Sequence, residues 1–162
     1  MDKMKKILVT GGVGFIGSNL LNNLLSSNFS LVSLDNYSTG SKKNEIPGIK
    51  YIEDDITKIK DIKNDFDICF HLAAQSRVQP SFDNPEESFR VNVYGTLKLM
   101  EWSRINNTKV IYAGSSSKHH NPADSPYAMN KFLGEEVCKL YKRSFNSNVE
   151  IARFYNVYGP GE

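Results

Sequence analysis

The stretch Lys6–Leu21, "KILVTGGVGFIGSNLL", decides the fold. A short apolar run, Lys6–Thr10, stops at a cluster of glycines. A helical pattern then opens at Phe15, with Ile16, Leu20, Leu24 and Leu25 near one face. The glycines satisfy GxGxxG through Gly12, Gly14 and Gly17, and GxxGxxG through Gly11, Gly14 and Gly17. A strand, a glycine turn and a helix in that order serve one purpose well. The turn is tight, the main chain can approach a pyrophosphate, and the helix start offers unpaired N–H groups and the positive end of its dipole. Gly11, Gly14, Phe15, Ile16 and Gly17 are the candidate contacts. An acid follows where a dinucleotide site needs one: Asp35 ends the β-rich run Ser30–Asp35 and can accept from the adenosine ribose diol. Asn36 comes next, with no Lys or Arg immediately after the acid, so a 2′-phosphate would be repelled. NAD is expected rather than NADP.

Further β-rich runs are Ile49–Ile56, Phe66–Ala74, Lys109–Gly114 and Val149–Asn156. One helical pattern extends from about Pro85 to Asn106. Another runs Ser125–Ser144, with a proline in its first turn and Leu133, Val137, Leu140 and Tyr141 as its apolar stripe. Strands apolar on both faces, alternating with helices, imply a parallel sheet between helix layers: an α/β, doubly wound, three-layer Rossmann fold. With 162 residues, 40% of them hydrophobic, the expectation is one domain spanning 1–162. The net charge of +2 is spread along the chain, so neither nucleic acid nor a membrane surface is an expected partner. Cys69 and Cys138 show no metal or redox spacing and read as reduced, buried thiols. The N-terminal apolar run is too short for a signal peptide or membrane span, and a cytoplasmic location is expected. No His/Cys pattern predicts a metal site. The terminal "YNVYGPGE" carries a Gly-Pro-Gly turn, as if another part were about to begin.

YxxxK occurs twice, as Tyr94/Lys98 and Tyr127/Lys131. On a helix the two residues share a face, and a lysine beside a phenol favours the phenolate. A tyrosine so placed can take a proton from a substrate hydroxyl. Only the second pair follows a strand ending in serines, and it is the candidate. The first reads as core and surface.

With "TGGVGFIGSNL" joined by "DNYSTG", "DDI", "HLAAQSRVQPSFDNP", "VNVYGT", "YAGSSS", "YAMNK" and "RFYNVYGP", the chain resembles the extended short-chain dehydrogenase/reductase family. Within it, the chain is most similar to the NAD-dependent nucleotide-sugar epimerase/dehydratase branch, and there to UDP-glucose 4-epimerase-like enzymes. The resemblance covers the N-terminal part of such enzymes and lacks most of the C-terminal substrate-binding domain. It implies adenine contacts at Asp55 and Ile56, and a small-residue loop under the dinucleotide at Leu72, Ala73 and Ala74. It implies cofactor contacts at Asn92, Phe154, Tyr127 and Lys131, with Lys131 on the nicotinamide ribose. Asn156 would face the nucleotide-sugar phosphates, and Arg77 could meet the diphosphate. Ser115 takes the position of the active hydroxyl that relays a proton to Tyr127, with Ser116 the next choice.

The resemblance also implies a reaction. Related 4,6-dehydratases carry Asp-Glu just after the hydroxyl, and decarboxylases a glutamate. Here Ser116 and Ser117 stand in those places. What remains is oxidation to a 4-keto sugar and re-reduction by bound NADH, hence 4-epimerisation of a UDP-hexose. A 4,6-dehydratase or keto-sugar reductase is the alternative within the family, and a non-catalytic NAD-binding module the alternative outside it. The loop Lys118–Asp124 is shorter than the family's. Lys118, His119 or His120 is expected to touch substrate there. The two long helices are expected to pair with their copies in a homodimer, with Leu99 and Trp102 as candidates.

Overall fold

The computed structural model describes residues 4–63, 65–119 and 121–162. Six strands, β1 (Lys5–Thr10), β2 (Phe29–Asp35), β3 (Lys50–Glu53), β4 (Ile68–His71), β5 (Lys109–Ser115) and β6 (Val149–Phe154), form one sheet in the order β3-β2-β1-β4-β5-β6. All neighbours are parallel. The order reverses between β1 and β4, and the crevice above a reversal is where such sheets bind ligands.

Strand side chains alternate between the two faces. On β1, Ile7 and Val9 join Leu21 and Leu31 in a cluster on the side of α1 (Phe15–Leu24). Leu8 points to the larger cluster, with Val32, Leu34, Cys69, Val110 and Val149. That cluster is closed by α4 (Gly95–Asn106), through Leu99, Met100 and Trp102, and by α5 (Pro126–Phe145), through Cys138 and Tyr141. Both cysteines are free and buried. Ser125 caps α5 by accepting from the Ala128 N–H, with Pro126 at the first helical position.

The structure departs from the sequence reading in four places. The pattern from 85 to 106 is not one α-helix. It divides into α3 (Pro85–Phe89), a π-helical turn (Arg90–Tyr94) and α4. A short helix, α2 (Val78–Asp83), precedes it in what read as loop, with Arg77 as its N-cap. Three strands, β3, β4 and β6, are shorter than the apolar runs: Ile56 opens a 3-10 turn, Leu72, Ala73 and Ala74 leave the sheet as loop, and β6 ends at Phe154. Leu99 and Trp102 are core residues, so neither can form an interface between copies. Among the described residues, no helix is long and apolar enough to cross a membrane.

Candidate active and cofactor site

The glycine turn is built from two kinds of glycine. Gly11 has φ +76°, and a Cβ there would lie 2.7 Å from the Ala73 nitrogen, so the turn presses on the loop leaving β4. A Cβ on Gly17 would lie 2.1 Å from the Gly11 carbonyl oxygen, because α1 starts directly on the turn. Gly14, the residue before α1, is different. Its Cβ would meet only that same oxygen, at 3.3 Å, so packing inside the protein does not demand glycine. Its open side lies at a helix start, whose N–H groups can receive an anion.

Asp35 meets this turn. One carboxylate oxygen accepts from the Val13 N–H at 3.1 Å, the other from the Tyr37 N–H at 2.9 Å. A carboxylate has about four acceptor sites, so two remain for a ribose diol. Asn36 is exposed and braces its own loop, accepting from Ser38 N and donating to Asp55. The cradle and the acid together fit an NAD phosphate and ribose.

Asp55 and Ile56 are both tied into the protein around α4 and the π-helical turn. Both Asp55 oxygens are taken: Oδ1 accepts from Thr57 N, Thr57 Oγ1 and Arg90, and Oδ2 from Asn36 and Arg90. The Arg90 fork holds this carboxyl far below the usual carboxylate range. The Ile56 side chain is buried under Gly95. Arg90 is the residue that sequence reasoning missed here, since nothing in a linear motif ties position 90 to position 55.

Asn92 is buried in the π-helical turn. Its amide accepts from Gln75 N at 2.8 Å and donates to Gln75 O at 3.0 Å, pinning the loop Leu72–Arg77. A second network fixes the same loop. Ala73 N donates to Thr10 Oγ1, Thr10 donates to His71 Nδ1 at 2.8 Å, His71 Nε2 donates to Thr96 Oγ1 at 3.1 Å, and Thr96 donates to the Asn92 carbonyl. This chain of donors requires neutral His71, and burial pushes its pKa down to about 3. Arg77 is exposed at the end of that loop.

The chemistry gathers at the end of β5. The Ser115 hydroxyl oxygen accepts from Ser117 N at 3.1 Å and Ser117 Oγ at 2.9 Å. It also interacts with the Tyr127 phenol, favouring the phenolate. Tyr127 N is held by Ser81 Oγ of α2 at 3.0 Å. One turn along α5, the Lys131 ammonium is buried, donates to the Ala113 carbonyl and lies 4.6 Å from the centre of the Tyr112 ring. Burial lowers its pKa to about 8. The expected lowering of the Tyr127 phenol by Lys131 is not found. Burial raises the phenol above its ordinary range, and Ser115 pulls it only part of the way back. The other YxxxK copy is a surface pair, with the Lys98 ammonium 4.9 Å from the ring centre of exposed Tyr94.

Phe15, Ile16, Leu72 and Phe154 meet at an apolar cleft of about 420 Å³ on the α1 side of the sheet, closed at one end by Val157–Pro160. Ser115, Tyr127 and Lys131 do not line it, and Asn156 is exposed beyond β6. Ser116 opens a 3-10 turn after β5. The side chains of Lys118 and His119 and the whole of His120 lie outside the described residues.

The sequence profile of the NAD dependent epimerase/dehydratase family matches residues 7–162. The chain belongs to this family. It is 36% identical to a putative UDP-glucose 4-epimerase of Methanocaldococcus jannaschii, across 94% of the chain and 56% of that protein. UDP-glucuronic acid decarboxylase 4 of Arabidopsis thaliana is 27% identical, across 98% of the chain and 40% of that protein. The Bordetella bronchiseptica enzyme WbmF, solved in complex with NAD+, superposes with a TM-score of 0.89 at 33% identity, across 98% of this chain and 52% of that one. The family member described here thus spans about half the length of the curated relatives it matches. NAD is the family's cofactor, and the cradle around Gly14 and Asp35 suits it.

Proposed function

We propose that this chain is the cofactor-binding part of an NAD-dependent UDP-hexose 4-epimerase. The observation that carries the reading is the end of β5. Ser115 faces Tyr127 while Ser116 and Ser117 occupy the positions at which elimination or decarboxylation would call for acids. Bound NAD supplies a reversible hydride acceptor. The residues do the rest. Ser115 hydrogen-bonds the sugar 4-oxygen and passes its proton to Tyr127. The phenol, raised by burial, needs the positive nicotinamide ring to reach a useful pKa, which ties deprotonation to the oxidised cofactor. Lys131, anchored on Ala113, holds the nicotinamide ribose. The 4-keto sugar then turns over and is reduced on its other face.

Asn156 and Arg77, both exposed at the sheet's ligand edge, are assigned to the diphosphate. The loop Lys118–Asp124 forms part of the sugar wall. Two copies pair through α4 and α5.

The test adds NAD and UDP-glucose, UDP-galactose or their N-acetyl forms to the chain, measuring NAD affinity by calorimetry and inversion at the sugar C4 by NMR. Epimer formation that Tyr127→Phe reduces at least a hundredfold is expected. NAD binding without turnover would make this chain a binding module instead. A 6-deoxy-4-keto product would make it a dehydratase.

A further inference from the structure

Three consecutive residues at the end of β5 each receive a different group from α5. The Ala113 carbonyl accepts from the Lys131 ammonium. Gly114 leaves room for Glu135, since a Cβ there would lie 2.7 Å from Glu135 Oε1. Ser115 meets Tyr127. Glu135 is one turn beyond Lys131, and its side chain is 2% exposed. The Arg153 fork of β6 grips it, with Nε at 3.0 Å from Oε1 and Nη2 at 3.0 Å from Oε2. Arg153 is also the β6 neighbour of Gly114 in the sheet register.

We propose that Glu135 is a positioning residue for the reaction: clamped by Arg153 across Gly114, it keeps the buried Lys131 ammonium charged and seated on the end of β5. The reading rests on the role assigned to Lys131 above. A buried carboxylate beside a buried ammonium is not a stability device, because desolvating two charges offsets most of their attraction. Its value is to set the state of the partner.

Among the described residues, the groups facing Lys131 leave this task to Glu135. From β4, His71 is neutral throughout the working range. From β5, the Tyr112 phenol is buried and held well above its ordinary pKa, so it offers only its ring. From α5, Tyr127 is protonated at neutral pH in its raised state, and Cys138 is pushed up to about 12 by burial, so neither carries charge. From β6, Arg153, its side chain 32% exposed, brings a positive charge to the other side of Glu135. Without the carboxylate, the buried ammonium would lose the negative charge that favours it. The deprotonated lysine would then be favoured.

Glu135→Gln keeps the shape and one acceptor for Arg153 while removing the charge. Lys131 is followed by 15N NMR of its side-chain nitrogen, assigned with Lys131→Met, and NAD affinity is measured at pH 6 and pH 8. In Glu135→Gln the Lys131 midpoint is expected to fall by at least one pH unit. NAD affinity should weaken about fivefold at pH 8 and stay within twofold at pH 6. A merely structural role would weaken it equally at both. An unchanged midpoint overturns the proposal. Should wild-type chain bind no NAD at either pH, the reading of the site fails, while the midpoint still decides the role of Glu135. If Glu135→Gln does not fold, Gly114→Ala makes the same test by pushing the carboxylate away with a methyl group. The midpoint should again fall, and an unmoved one overturns the proposal.

Discussion

A methyl group added at Gly17 would lie 2.1 Å from a backbone oxygen, and one at Gly14 would come no closer than 3.3 Å to any protein atom. The two glycines of one motif therefore predict opposite phenotypes. Gly17→Ala overpacks the junction of β1 and α1 and should cost about 1–3 kcal/mol or more. Gly14→Ala should leave stability within roughly 1 kcal/mol and weaken NAD binding at least tenfold. Urea unfolding and calorimetry read both. Normal NAD affinity in Gly14→Ala would remove the cradle from the site. His71 makes a second residue-level prediction. Its folded pKa, about 3, lies below the ordinary 6.5. Between these values the unfolded chain binds the extra proton, so stability present above 6.5 is lost as pH falls towards 3. The slope is roughly 1.4 kcal/mol per pH unit. From pH 6.5 to 5, above most carboxylate titration, wild type should lose roughly 2 kcal/mol, measured by urea unfolding. His71→Gln should flatten that limb, and an unflattened one would assign the loss elsewhere.

α5 shows where sequence could and could not be read. Its start was legible, because Ser125-Pro126 is a cap followed by a helix-compatible proline. Its buried face was not. The apolar stripe Leu133, Val137, Leu140 and Tyr141 suggests the core side; Tyr141 is buried and Val137 packs on the core, yet Leu140 is 46% exposed. The face that enters the protein carries Asn130, Lys131, Gly134, Glu135, Cys138 and Tyr141. Hydropathy alone cannot favour that face, since its two charges are buried with partners on β5 and β6. The same limit applies to the π-helical turn. A linear pattern from 85 to 106 fits one helix, and the extra residue shows only where Asn92 must reach Gln75 and Arg90 must reach Asp55. In α1, Leu21 is fully buried, and Leu20 and Leu24 of the expected face pack against the same cluster half-buried. By contrast, the glycine turn, Asp35 and Tyr127/Lys131 were legible because each is a local spacing. Gly134 gives the element-scale prediction. On an open helix, Gly→Ala stabilises by about 1 kcal/mol. Here the new methyl would lie 2.3 Å from the hydroxyl of Tyr112, which is itself buried and cannot yield. Gly134→Ala should therefore destabilise by about 1–3 kcal/mol. A raised urea midpoint would show that α5 is not seated on β5 as described.

At the scale of the molecule, the outward faces of α4 and α5 bear on assembly. The two helices pack on one another and are tied by Tyr141 donating to Glu101, while Arg104 covers the Phe145 ring. With Leu99 and Trp102 inside, the apolar side chains left outward are Leu97, Ile105, Met129, Leu140 and Phe145. An apolar surface shared by two adjacent helices is what a two-fold interface uses, since the same patch serves both copies. The dimer proposed above therefore rests on a different stripe from the one hydropathy suggests. Sedimentation of the chain should give twice its 18.3 kDa mass. Leu97→Glu with Leu140→Glu should give a folded monomer by far-UV circular dichroism, with NAD affinity retained because neither residue lines the cofactor cradle and with an unfolding midpoint that no longer depends on protein concentration. A wild-type chain that stays monomeric at high micromolar concentration would leave this surface without a role in pairing. A double variant that stays dimeric would move the interface elsewhere on the molecule.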